Sequence, residues 1–191
     1  MPGWIAEASR GPRARITGVV YLLYFLTAVL GQYLASRKLV VYGVAANVIA
    51  NAFYVATTLL FYELFKPVNK RVSLVAALFS LVGCAIATLG LFHLAPSRIS
   101  PLLFFGPYCL LLGYLILRST FLPRVLGVLM MLAGVGWLIF LLPRLPLFLS
   151  RCIEGLGILA EGLLMLWLFV RGVNVSRWGG KATVATKGDE V

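Results

Sequence analysis

The last apolar segment of the chain constrains its fold more than any other feature. It runs from Leu147 to Val170, about 24 residues, which is long enough for a helix to cross the hydrocarbon core of a bilayer. It contains Glu154 and Glu161, seven residues apart, so both carboxyls lie near one face of a helix, roughly 10 Å apart along its axis. An ionisable side chain in hydrocarbon costs at least about 2.5 kcal/mol, so such groups normally face protein or a wet cavity. The segment therefore predicts a membrane helix beside a polar interior.

The composition favours the same class of protein. The chain has 191 residues, of which 61% are hydrophobic and 12% charged, and its mean hydropathy is +0.98. These values are typical of an α-helical protein that crosses a membrane several times. The predicted spans are 16–34, 41–65, 72–94, 101–117, 125–142 and 147–170. We predict an all-α, polytopic six-transmembrane-helix bundle with short loops, in which a basic leader (1–15) and a basic tail (171–191) flank the transmembrane domain (16–170).

The basic residues predict the orientation of this bundle. The net charge is +11, and with six spans twelve of the basic residues fall on one side of the membrane and five on the other. The twelve are Arg10, Arg13, Arg15, Lys66, Lys70, Arg71, Arg118, Arg124, Arg171, Arg177, Lys181 and Lys187; the five are Arg37, Lys38, Arg98, Arg144 and Arg151. Positive charge accumulates on the cytoplasmic side, so we expect both termini in the cytoplasm. The charge then serves topology and lipid contact, and no nucleic-acid partner is expected.

A polar stripe on the second span predicts where a ligand would bind. The stripe consists of Asn47, Asn51, Tyr54 and Thr58, which fall within about 60° of one another on a helical wheel. These residues lie at depths in the membrane that match those of the two glutamates of the sixth span. We expect Glu161 to face the second span. The candidate ligand-binding residues are Glu161, Glu154, Asn47, Asn51, Tyr54 and Thr58.

Two hypotheses for function remain open at this point. In the first, the polar interior binds or carries a small ligand, a cation or a proton. In the second, the protein is a non-catalytic accessory or assembly subunit of a larger membrane complex, or a homo-oligomer, and its polar stripes hold helices together. Polar side chains do bond across membrane helices, for about 0.6 kcal/mol each. The third span, with a row of small residues that includes Ser80 and Cys84, is expected to pack closely against a neighbour.

Enzyme activity, cofactors and metal sites are not expected. The chain has one histidine, His93, which is too few for a bis-imidazole haem site or an H-E-x-x-H zinc site. Neither a nucleophile elbow nor a phosphate-binding loop is present. The three cysteines have no metal-ligand spacing, and a Cys109–Cys152 disulfide is left open.

Two further expectations concern local structure. Pro107 lies inside the fourth span and lacks a backbone N–H, so it should bend that helix or delay its start. Glu63 lies one turn from Lys66 at the inner interface and should form an ion pair with it.

Short motifs along nearly the whole chain resemble a known family. The segments are Ala14 to Leu23, Lys66 to Asn69, Cys109 to Leu115, Leu122 to Val128 and Glu161 to Leu168. They are similar to a bacterial six-helix integral membrane family catalogued as domain of unknown function 4386. The segment between the first two spans is shorter here than in the family, and Phe104 to Tyr108 stands where related chains tend to carry a histidine. The resemblance implies a six-helix fold and a location in the bacterial inner (plasma) membrane, and it implies no substrate.

Overall fold

The structure, a computed structural model, describes residues 10–94, 100–141 and 145–172. Within these ranges the chain forms six α-helices and no strand. They are α1 (Arg10–Ser36), α2 (Val40–Phe65), α3 (Lys70–Leu91), α4 (Leu102–Arg118), α5 (Arg124–Ile139) and α6 (Leu147–Val170). Each predicted span corresponds to one helix, so the all-α, six-helix prediction is confirmed. Arg98, Arg144 and the tail beyond Gly172, which entered the charge argument, lie outside the described residues.

Four of these helices are long and apolar enough to cross a membrane. They are α2, α3, α6 and the part of α1 from Ala14 to Ser36. Helices α4 and α5 are also apolar but have only 17 and 16 residues. At about 1.5 Å per residue, each is roughly 25 Å long, slightly less than the hydrocarbon core of a bilayer. Helix α1 begins at Arg10, inside the segment predicted as a leader.

The six helices close into a ring. Each helix packs against the next one along the chain, and α1 packs against α6. Short connections join consecutive helices, which therefore run antiparallel. We call the end where α1 begins and α6 finishes the terminal end, and the opposite end, where α1 joins α2, the far end. A ring of this kind can leave space at its centre wherever the side chains are small.

Glycines bring α4 and α5 into close contact. Gly106 lies against Gly134 and Gly113 against Gly127, as expected for antiparallel helices with glycines two turns apart. A Cβ added at Gly113 would lie 2.7 Å from the carbonyl oxygen of Gly127, and one at Gly134 would lie 2.8 Å from that of Gly106. Small residues allow membrane helices to approach at the backbone, which increases their dispersion contacts.

Hydroxyl groups join α2 to α3. The Thr58 and Ser80 side chains share a hydrogen bond of 2.6 Å, and the Ser73 hydroxyl donates to the Tyr62 carbonyl oxygen at 3.1 Å. Ser73, Ser80 and Cys84 are all buried. The prediction that the small-residue face of the third span serves packing is therefore confirmed.

The terminal half of the ring is filled by large side chains. Phe65, Leu112 and Leu115 are almost completely buried, and the void beside them measures about 10 Å³. A void of that size is at the lower limit for one water molecule. At the edge of this half, Lys66 Nζ lies 3.7 Å from Glu63 Oε1, so the predicted ion pair is present.

Helix α4 continues through Pro107 without a break. The helix starts at Leu102, so the predicted alternative of a start after the proline is wrong. Pro107 lies in the second turn, where its missing N–H removes a single helical hydrogen bond, the one to the Leu103 carbonyl. The first turn is held by the Phe105 N–H, which donates to the Pro101 carbonyl oxygen at 3.1 Å.

Candidate functional site

A cavity of about 330 Å³ occupies the centre of the ring in its far half. All six helices line it. One lining residue from each, in chain order, is Tyr24, Asn51, Leu91, Phe105, Trp137 and Glu161. The space exists because Ala28, Ala50 and Ala87 face the centre here, where the terminal half has phenylalanine and leucine. Its volume is within the usual range for small-molecule sites, roughly 300–1,000 Å³.

The cavity reaches from the far end of the bundle to its middle. Leu91 is the last residue of α3, and Leu102 is the first residue of α4, so both mark the far end. Tyr54 and Glu161 lie near the middle of α2 and α6. Asn47 is seven residues before Tyr54, which corresponds to a depth of roughly 10 Å along α2. The cavity therefore extends from the far end to the middle of the bundle, where the packed terminal half closes it.

Glu161 lies at the closed end of this cavity and is held by α1. The Tyr21 hydroxyl donates a hydrogen bond to Glu161 Oε2 at 2.8 Å. Tyr21 is 1% exposed, whereas Glu161 is half-buried because the cavity reaches its side chain. Gly18, one turn before Tyr21, lies against the backbone of Phe169, so α1 and α6 also approach closely about two turns nearer the terminal end than Glu161.

Aromatic rings surround the carboxyl. Tyr24, Tyr54 and Phe105 line the cavity together with Glu161. The Tyr24 and Tyr54 ring centroids are 4.7 Å apart with planes at 60°, and those of Tyr54 and Phe105 are 5.5 Å apart at 88°. Edge-to-face pairs of this kind are favourable in themselves and fix the orientation of each ring. The deep part of the cavity thus combines one acidic group with rigid aromatic walls.

Amide side chains lie nearer the far end. Asn47 donates to the Gly43 carbonyl oxygen of its own helix at 2.8 Å. Asn51 donates to the Cys84 carbonyl oxygen at 2.8 Å and to the Thr88 hydroxyl. Both asparagines also line the cavity, so each combines a packing role with a surface that a ligand could contact.

The cavity brings together four of the six predicted site residues, namely Asn47, Asn51, Tyr54 and Glu161. Thr58 is excluded, because it is 1% exposed and bonded to Ser80 between α2 and α3. Glu154 is exposed and does not line the cavity. It lies two turns closer to the far end than Glu161, so a similar angle on the wheel does not give it the same neighbours.

Glu161 faces the second span across the cavity, but its hydrogen-bond partner lies on a different helix. The sequence predicted that Glu161 faces the second span, but its hydrogen bond comes from Tyr21 on α1. Helix α6 packs between α1 and α5, and α2 lies across the cavity from it. The sequence did not predict four aromatic residues of the site: Tyr21, Tyr24, Phe105 and Trp137. An aromatic residue in an apolar span resembles any other core residue, so the sequence carried no signal for them.

No basic side chain balances Glu161 within the described part of the chain. The ion pair found there joins Lys66 to Glu63, near the terminal end. The described residues also contain no cluster of three or more His, Cys, Asp or Glu side chains that could hold a metal ion. His93 lies just beyond α3 with φ of 57° and does not line the cavity. Cys84, Cys109 and Cys152 are free thiols, so Cys109 and Cys152 do not pair here.

These features define a class: a ring of six apolar helices, four of them able to cross a membrane, around a central cavity with an acidic end. Residues 16–97 and 97–172 match a family described as domain of unknown function (DUF4386), and the chain belongs to that family. An uncharacterized protein from Archaeoglobus fulgidus is 30% identical over 153 residues, which cover 75% of this chain and 92% of the relative. No solved structure matches the chain.

Proposed function

We propose that this protein binds a small, positively charged ligand in its central cavity. The observation that carries the proposal is Glu161, an acidic side chain at the closed end of the cavity with no basic partner in the described part of the chain. An isolated charge in a membrane protein is costly and normally marks a functional group with a partner. A cationic ligand would supply that partner, whereas an anion would be repelled.

The proposal is for binding or carriage of the ligand, and not for catalysis. Among the described residues that line the cavity, Glu161 is the acidic one, and the other polar side chains are amides, phenols and the indole of Trp137. These groups can orient a ligand, but they do not form a nucleophile with an adjacent base. The packed terminal half closes the cavity on its own side, so access from the terminal end would require residues such as Phe65 and Leu112 to separate.

We further propose that the far end faces outwards from the plasma membrane and that both termini are cytoplasmic. The support is the excess of basic residues at the terminal end, including Lys66, Lys70 and Arg124. In a variant with Cys152 replaced by serine, a cysteine at Lys38 should react with a membrane-impermeant maleimide on intact cells, and one at Lys70 should not. The reverse pattern would contradict this orientation.

The binding proposal is tested on the full-length protein purified in detergent. Thermal unfolding is followed across a panel of sodium, potassium, magnesium and organic ammonium salts. At least one cation should raise the melting temperature of the wild type and not that of Glu161→Gln. Glu154→Gln is the matched control, since Glu154 lies on the same helix but outside the cavity. If no cation stabilises the wild type, or if Glu161→Gln responds equally, the proposal is wrong.

A second candidate function is that of an accessory subunit, and one feature of α6 favours it. Cβ atoms added at Gly155 or Gly162 would have nothing within 4 Å, and Glu154 beside them is exposed. Small residues on an open helix face allow another helix to approach. If this face forms an interface between copies, native mass spectrometry should show an oligomer that Gly155→Leu disrupts. A monomeric wild type would remove the support for such an interface.

A further inference from the structure

We infer that the cavity selects organic monocations, such as alkylated ammonium compounds, over inorganic ions. This inference rests on the proposed function and narrows its ligand class. It depends on three features of the site: the aromatic walls, the single carboxyl and the size of the space.

The aromatic walls favour an ammonium group that carries carbon substituents. A cation within about 6 Å of an aromatic centroid is attracted to the face of the ring, and cages of several rings are the known means of binding quaternary ammonium. Here Tyr24, Tyr54 and Phe105 line one cavity, and Tyr54 stands at a steep angle to both other rings. Ring surfaces in different planes can contact the several methyl or methylene groups around one nitrogen. A small inorganic ion would lose its hydration shell against the same walls without equivalent oxygen ligands.

The carboxyl of Glu161 sets the charge of the ligand. Glu161 is the one acidic group among the described residues that line the cavity, and Tyr21 already donates to one of its oxygens. One carboxylate balances one positive charge. Calcium takes six to eight oxygen ligands, and magnesium about six in strict geometry. The described residues around Glu161 do not provide such a set, because the neighbouring side chains are mainly aromatic or alanine.

The size of the cavity favours a molecule over a bare ion. Its volume of about 330 Å³ equals that of roughly ten water molecules, and it is about 10 Å deep. A ligand with its ammonium group beside Glu161 would reach towards Asn47, whose level is roughly 10 Å nearer the far end. A polar group on the second end of the ligand would then lie beside the amides. The site is therefore suited to a short compound with a cationic head and a polar, uncharged end.

The test uses choline and its neutral isostere, 3,3-dimethyl-1-butanol, as probes of nearly equal shape. Isothermal titration of the full-length protein should show choline binding that is at least tenfold tighter than binding of the isostere. Sodium or magnesium, added at the concentration at which choline saturates the site, should not reduce choline binding. If the isostere binds equally, or if an inorganic cation binds through Glu161 and choline does not, the inference is overturned. In the inorganic-cation case the proposed function stands, whereas absence of all cation binding refutes both.

Variants of Tyr24 distinguish the loss of a contact between the aromatic ring and the ligand from a general loss of protein stability. Tyr24 is half-buried, so its replacement disturbs the core less than replacement of Tyr54. Tyr24→Leu should weaken choline binding about fivefold or more, and Tyr24→Phe, which keeps the ring, should restore most of the affinity. Tyr42→Leu, at an exposed position on α2, is the control and should bind as the wild type does. Equal binding by Tyr24→Leu and the wild type would overturn the aromatic part of the inference.

Discussion

The Tyr21 hydroxyl and the Glu161 carboxyl are joined by a hydrogen bond of 2.8 Å across 140 positions of the chain. This bond links the first helix to the last and so lies at the point where the ring closes. Because Glu161 also lines the cavity, the bond connects the stability of the bundle to the geometry of the candidate site. A change at either residue should therefore be visible in both properties.

Tyr21→Phe tests this connection. The ring of Tyr21 packs at 5.7 Å from that of Phe61 and should stay in place, so the variant removes only the hydroxyl. We expect a loss of about 1–3 kcal/mol in the free energy of unfolding, because the half-buried carboxyl of Glu161 loses its hydrogen-bond donor. Unfolding in mixed micelles with an increasing SDS fraction measures this loss. Tyr42→Phe, at an exposed position, is the control and should leave the free energy of unfolding unchanged. If Tyr21→Phe is as stable as the wild type, the bond has no structural role.

A second prediction concerns the hydrogen bond between Thr58 and Ser80. Thr58→Val and Ser80→Ala should each reduce stability, and the double variant should lose less than the sum. The expected coupling is about 0.6 kcal/mol and at most roughly 1.7 kcal/mol, the range found for such bonds in a membrane protein. A double-mutant cycle in mixed micelles measures it. Thr58→Val should bind cations as the wild type does, since Thr58 does not line the cavity. Loss of cation binding in this variant would show that Thr58 contributes to the site.

The helices of this protein could be predicted from the sequence because apolar run lengths are set by the membrane. The predicted and observed limits of the sixth span coincide at Leu147 and Val170. The third span was predicted to reach Leu94 but ends at Leu91, because His93 turns into the left-handed region at φ 57° and the Leu94 N–H closes on the Leu89 carbonyl. Hydropathy does not register such an end, since Phe92 and Leu94 are themselves apolar.

The site could be predicted only in part, because a helical wheel gives an angle and not a neighbour. Glu154 and Glu161 share an angle, yet only Glu161 is at the level where α1 approaches. Thr58 shares the stripe of Asn51, but Ser80 of α3 covers it. The ring order of the helices and the positions of the lining alanines decide these outcomes. Both depend on three-dimensional packing that no single span contains.

A third prediction concerns the glycine contacts between α4 and α5. Gly113→Ala should lower the free energy of unfolding by about 1–3 kcal/mol, because the added methyl would press on the Gly127 backbone. Gly155→Ala is the matched control on α6, where an added Cβ meets open space. It should be neutral or stabilising by up to about 1 kcal/mol, because alanine favours the helix. Equal changes in stability in both variants would show that the close contact with Gly127 does not determine the effect.

The last prediction separates the space of the cavity from its charge. Ala28→Leu places three more carbon atoms into the cavity without changing an ionisable group or a hydrogen bond. Filling a cavity adds contacts, so the variant should be as stable as the wild type or more stable, while losing at least tenfold in affinity for the organic cation. Ala45→Leu, at an exposed position of α2, makes the same change outside the ring and should bind normally. Titration and SDS unfolding of both variants give the two readouts. If Ala28→Leu binds as tightly as the wild type, the cation is not held in this cavity, whatever the effect of replacing Glu161.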